Sequence, residues 1–234
     1  YQLCKNCNSN AITTSLAMNS LALALQHKTL FSFSTDEERT IFGALTGGYH
    51  YLSATLTSTK KYIFWKFLEK PNSTATTWAL VALRELCKID SIDSNISKFY
   101  NETRQKCLDF ILSSIPSEQA TWKDEQIVCE AGAKYNKQKN YYSFMPALLP
   151  QLFSLGVSPF NYKIVNQIRR LTTTQDGWKI NMYDQDKPCT FTFAMTISTI
   201  ATWHSLVGNT LAVQLLTNKA PKINKIAKFL LGFP

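Results

Sequence analysis

Stretches with almost no charge alternate along this chain with stretches whose apolar residues recur every three or four positions. Residues 10–26, 73–83, 142–157 and 189–206 form the first class. The second class is "EERTIFGALTGGYHYLSATL" from Glu37, "ISKFYNETRQKCLDFILSSI" from Ile96, "NYKIVNQIRRL" from Asn161 and "INKIAKFLLGF" from Ile223. A helix that is apolar all round is buried, whereas an amphipathic helix turns one side to water. The charge-free segments are therefore predicted as inner helices and the amphipathic ones as outer helices. Strand-like alternation closed by hairpin turns is missing from the pattern, so the predicted fold class is all-α.

The alternation has a period. Trp65 stands before a polar turn, a proline and the charge-poor run at 73–83, and Trp122 and Trp178 occupy similar settings at spacings of 57 and 56 residues. Self-similarity at a fixed interval marks a repeat array. It predicts four α-hairpins of about 57 residues, at approximately 1–64, 65–121, 122–177 and 178–234, in a single repeat domain. Tyr1 stands where an initiator methionine would, which leaves open that the sequence is a piece of a longer chain, and no leader with a basic start and apolar centre is read at its start.

Residues 189–206 have the length of a membrane span, but seven Ser or Thr hydroxyls and His204 make the segment too polar for lipid. Hydroxyls on a helix can bond carbonyls of the preceding turn and so survive in protein packing. An inner helix is predicted there, and no transmembrane span.

The bulk composition changes the picture only a little. With 45% hydrophobic and 18% charged residues, the 234-residue chain can bury a sizeable core. Its net charge of +9 suits anionic partners. No dense Arg/Lys block is interleaved with aromatics, which argues against nucleic acid. Six cysteines at 4, 7, 87, 107, 129 and 189 include one close pair, Cys4 and Cys7, without a second pair to complete a zinc site. Free thiols in helical patterns point to a reducing, cytoplasmic setting. The sequons at Asn72, Asn95 and Asn101 are expected by chance in a chain this rich in Asn, Ser and Thr. Lysines 219, 222, 225 and 228 line a basic amphipathic helix, and Lys134, Lys137 and Lys139 a basic loop.

Paired helices with charge-poor inner members, the Gln175-Asp176-Gly177-Trp178 turn and the run "TATTWALVALREL" at 74–86 together resemble the terpenoid cyclase and protein prenyltransferase superfamily. The resemblance implies an α/α toroid, here an incomplete one, around an apolar cavity. Trp78, Tyr142, Phe144, Phe191, Phe193 and Trp203 fall on inner helices and would line that cavity. It also implies isoprenoid diphosphates as ligands, yet the superfamily's chemistry is missing. There is no Asp-x-Asp-Asp proton donor, and "IDSID" with Asp90 and Asp93 lies between an inner and an outer helix. There is no Asp-Asp-x-x-Asp magnesium motif. Asp186 and Cys189 stand one residue too far apart for the zinc motif, and His204 lies roughly 22 Å along the helix from Cys189 at 1.5 Å per residue.

No phosphate loop, HExxH or nucleophile elbow occurs, and His27, His50 and His204 are the only histidines. We therefore expect no catalytic residue, no metal and no cofactor. The expected function is a non-catalytic interaction module that binds a protein, another macromolecule or other domains of a larger chain. The alternative is an isoprenoid-handling protein of cyclase or prenyltransferase type.

Overall fold

A computed structural model describes residues 10–67, 69–90, 92–117, 148–173 and 190–208. These are mostly helical and belong to two compact units, one holding residues up to Ser114 and the other the residues from Ile115 onward that are described here.

The first unit begins with α1 (Ala11–Gln26), which starts where the Asn10 side chain accepts the Thr13 N–H at 3.0 Å. A short helix, α2 (Lys28–Phe31), follows and ends at Ser32 in the left-handed region, φ 52°. Helix α3 (Thr35–Thr55) opens on a capping box: the Ser34 hydroxyl accepts the Glu37 N–H, and the Glu37 carboxylate accepts the Ser34 N–H at 2.8 Å. Those bonds from Ser34 hold the Glu37 carboxyl below the usual range. The sequence pattern placed this start at Glu37, two residues late, because periodicity reports the apolar face and not the cap.

Two short antiparallel ladders, unforeseen in the sequence pattern, join α3 to the next helix. Strands β1 (Thr57–Ser58) and β2 (Ile63–Phe64) pair first, then β3 (Lys66–Phe67) and β4 (Lys70–Pro71). Each strand is two residues long, too short for alternation to register. Between the ladders Trp65 is completely buried, and its Nε1 donates to the Leu52 carbonyl at 2.8 Å. That oxygen is one of the last four of α3, which lack partners within the helix.

Helix α4 (Ser73–Leu86) is capped by Asn72, whose Oδ1 accepts the Ala75 N–H at 2.7 Å, and it is covered on nearly every side. Only Trp78 and Arg84 among its residues are partly open, as expected for an inner helix. Helix α5 (Ser94–Ser114) then buries only Ile96, Thr103, Cys107, Leu108 and Ile111, the single apolar face of an outer helix.

Contacts fix the directions of these helices. Gln26, at the end of α1, hydrogen-bonds Glu85 near the end of α4, while α1 also touches β3, which leads into the start of α4. Helices α1 and α4 therefore run parallel. Ser73 and Ser114 hydroxyls meet at 2.7 Å, joining the start of α4 to the end of α5, so this pair is antiparallel. Tyr49 on α3 meets Phe99 on α5 edge to face, with centroids 5.6 Å apart. Two parallel helices thus sit side by side, each followed by a returning helix.

Helix α1 differs from its predicted burial on all sides. It buries Ala11, Ser15, Met18, Ala22 and Leu25 against α4 and α3, but Leu16, Ser20 and Leu23 remain exposed. Its charge-free composition carries no record of which neighbours it has.

The α1–α3 contact is close. A Cβ built on Gly48 would lie 2.5 Å from the Met18 sulfur and 2.6 Å from its Cγ, whereas none of the surroundings lies within 4 Å of one at Gly43. Gly43→Ala is expected to raise stability by about 0.5–1 kcal/mol through helix propensity. Gly48→Ala is expected to lower it by about 1–3 kcal/mol through overpacking of a buried methionine. Urea unfolding of the two variants checks the opposite signs.

The second unit contains α6 (Leu149–Ser154), α7 (Tyr162–Thr173) and α8 (Thr190–Val207). The predicted inner helix 142–157 is described only from Leu148. It ends early because Gly156, at φ 88°, turns the chain, with the Val157 N–H returning to the Leu152 carbonyl at 3.0 Å. Helix α7 buries Ile164, Val165, Gln167, Ile168, Arg170 and Leu171, and Asn166 donates to the Ser117 carbonyl at 2.7 Å. Helix α8 packs against α6 and buries Thr196, Thr199 and Trp203. No helix among the described residues is long and apolar enough to cross a membrane.

Candidate functional site

The C-terminal end of α4 carries a charged cluster. Glu85 is 3% exposed on an otherwise uncharged buried face. Its carboxylate accepts from Lys88 Nζ at 2.7 and 2.9 Å, from Arg84 Nε at 2.8 Å and from Gln26 Nε2 at 3.3 Å. Arg84 also reaches it through a second guanidinium nitrogen. Gln26 donates in addition to the Glu85 carbonyl at 2.7 Å, which ties the ends of α1 and α4 together.

Burial acts to raise the Glu85 pKa, but the bonds from Lys88, Arg84 and Gln26 outweigh it and hold the carboxyl below its ordinary range. An ionised group surrounded by donors is poorly suited to protonating a substrate, since a general acid needs a pKa near the working pH. Tyr100 sits beside this cluster, its phenol pushed up by burial against the opposing influence of Arg104 and Arg84. Burial raises the Cys87 thiol too, and drives that of Cys107 up to about 12, leaving a poor nucleophile.

A second feature is the open side of α1. Leu16 and Leu23 are 40% and 38% exposed, with Ser20 between them on the same face. Beyond His27, Leu30 on α2 is 78% exposed and Phe31 stands beside it, stacked on Phe33 with centroids 5.5 Å apart. Leu16 and Leu23 are seven residues apart on α1, the spacing of a helix–helix seam, and Leu30 follows at the same interval on the separate helix α2.

Of the six aromatics assigned to a cavity, two have described side chains, Trp78 and Trp203. Trp78 is partly open on α4. Trp203 is fully buried in the second unit, its Nε1 donating to the Pro159 carbonyl at 2.9 Å. Phe191 and Phe193 belong to α8, but their side chains lie outside the described ones, and Tyr142 and Phe144 lie outside the described residues altogether. So do Trp122, Trp178, Cys4, Cys7, Asp186, Cys189 and the basic segment from Lys219. His204 is exposed on α8, and among the described residues no three His, Cys, Asp or Glu side chains come together as metal ligands would.

Sequence reasoning missed Glu85 and the Leu16–Leu23–Leu30 spacing. The signals were there: an adjacent Arg–Glu pair with Lys88 three residues on, and a leucine every seventh position. Comparison with family models, curated proteins and solved structures gave no match to this chain.

Proposed function

We propose that this chain is a non-catalytic interaction module, an array of α-hairpins of about 57 residues forming an incomplete α/α toroid, that binds a protein or other macromolecular partner. The carrying observation is the uncovered side of α1 and α2 at Leu16, Leu23, Leu30 and Phe31. A charge-free helix that buries one face and leaves leucines open on another suits a further helix packed against it. The parallel course of α1 and α4, with antiparallel returns, supports the array. The engaged state of Glu85 supports binding over chemistry, because the carboxylate buried on this inner helix is taken up by Lys88, Arg84 and Gln26. The thiols of Cys87 and Cys107 are free, which favours a cytoplasmic setting.

A photo-reactive residue at Leu16 or Leu23 is expected to trap the partner several-fold better than one at Lys98 on α5. The double variant L16E/L23E is expected to lose the same complex with an unchanged circular dichroism spectrum. Equal trapping at all three positions, or a complex that survives L16E/L23E, contradicts the assignment.

Trp78, an aromatic left partly open on an inner helix, favours the alternative of an isoprenoid-handling protein. Release of diphosphate from farnesyl or geranylgeranyl diphosphate with magnesium or zinc, above a protein-free blank, would decide for that alternative.

A further inference from the structure

Asn72-Ser73-Thr74 is an Asn-x-Ser/Thr sequon, the acceptor pattern for an N-linked glycan, which ordinarily stands on an exposed surface. Here it forms the cap and first turn of α4 and is closed in. Asn72 is 1% exposed, and Ser73 and Thr74 are buried with it. The Nδ2 atom, to which a sugar would be joined, is itself shut off from solvent. The other two sequons differ, since Asn95 and Asn101 are both exposed on α5.

Asn72 is also anchored on every side. Its Oδ1 accepts the Ala75 N–H at 2.7 Å, and its backbone N–H donates to the Trp65 carbonyl at 3.1 Å. Its own carbonyl accepts the Thr76 N–H at 3.0 Å and the Thr76 hydroxyl at 2.7 Å. Bringing Nδ2 to the surface would release the cap of α4 and its junction with the completely buried Trp65.

Glycan transfer and burial compete in time. In the transfer, Nδ2 attacks C1 of a lipid-diphosphate-linked oligosaccharide. The C1–Nδ2 bond forms, the bond from C1 to the diphosphate oxygen breaks, and Nδ2 gives up one proton to a base. The acceptor is an extended, newly made chain. Ser114, whose hydroxyl meets that of Ser73 in the fold, is made 41 residues later. At roughly 5–20 residues per second, the sequon stays open for about 2–8 s before that contact can form.

We propose that modification and folding exclude each other at Asn72: a glycan on Nδ2 keeps the first unit from forming. The chain then reaches this fold only where no oligosaccharide is transferred to it. The glycan is hydrophilic and several times larger than the side chain that carries it, and the closed start of α4 leaves it no path to water. Glycans at Asn95 and Asn101 leave the fold intact. The inference stands whether or not α1 docks a partner.

The test translates the full chain behind a cleavable signal sequence, with microsomes that carry the lipid-linked oligosaccharide, and maps the filled sequons by mass spectrometry. Chains filled at Asn72 are expected to be cut by trypsin at least tenfold faster than chains from the same microsomes filled only at Asn95 or Asn101. The shared lumen cancels any effect of its redox state on the six cysteines. Ser73→Pro destroys the acceptor pattern, which excludes proline in the middle, yet suits the first position of a helix. Asn72, at φ −138° and ψ 121°, already has the extended backbone required before proline. This variant is expected to regain, inside microsomes, the resistance of chain made without them. Should it fold poorly even without microsomes, Thr74→Val removes the same acceptor. Equal resistance of chains filled and unfilled at Asn72 would overturn the proposal. An Asn72 left unfilled in most chains would also overturn it, since burial would then outrun transfer.

Discussion

Replacing Trp65 by alanine is expected to destabilise the first unit by about 3–5 kcal/mol, the range for removing a large buried aromatic. The side chain is completely buried between the two ladders, where its bonds reach the end of α3 and the start of α4. Its Nε1 also satisfies the Leu52 carbonyl at the end of α3, and its backbone N–H donates to the Thr76 hydroxyl on α4 at 3.1 Å. Trp65→Phe keeps most of the ring and the backbone bond but leaves the Leu52 oxygen without the indole donor. It is expected to cost about 1–3 kcal/mol. Urea unfolding followed by circular dichroism measures both. A loss below about 1 kcal/mol for Trp65→Ala would mean that the ladders do not clamp the two helices.

Glu85→Ala is expected to cost about 2–4 kcal/mol. Breaking a buried ion pair by removing one partner typically costs 3–5 kcal/mol, because the remaining charges lose their compensation. The figure here is lower since the Lys88 side chain is 51% exposed and can return to water. Glu85→Gln keeps the shape and the contact with Gln26 and is expected to lose about half as much. The effect depends on pH in a fixed direction. Because the folded carboxyl titrates below its ordinary value, its contribution is fully present above the unfolded pKa of about 4.3 and disappears as pH falls through the folded one. The gap between wild type and Glu85→Gln is therefore expected to be constant from pH 7 to about 5 and to shrink below about 4. A gap that widened on acidification would mean that the carboxyl is protonated in the folded chain.

Helix α4 was legible because it is apolar all round and stands after the polar Asn72, and α5 because its apolar residues keep to one face. Trp65 was legible as standing ahead of an inner helix, though its bond to Leu52 was not, since that depends on how α3 ends. The open side of α1 could not be read from Leu16 and Leu23 alone. Composition says that a helix prefers burial, and the number of its neighbours decides how much it receives. Glu85 was passed over for a related reason. A charge near a helix end ordinarily reaches water, whereas this one is internal, with Gln26 from the end of α1 hydrogen-bonded to it. The ladders at 57–71 escaped because two-residue strands are held by the helices around them and not by their own pattern.

Whether the module is non-catalytic turns on the state of Glu85, which separates a carboxylate that locks α1 to α4 from one that could donate a proton. Carbon-13 NMR of the Glu85 side-chain carboxyl, titrated from pH 7 to 2.5, measures that state directly. The account predicts a midpoint below the ordinary glutamate value, with the tie between Gln26 and Glu85 intact throughout the ionised range. A midpoint above about 5.5 would show a carboxyl available as an acid, and would contradict the reading of this chain as a module that binds without catalysing.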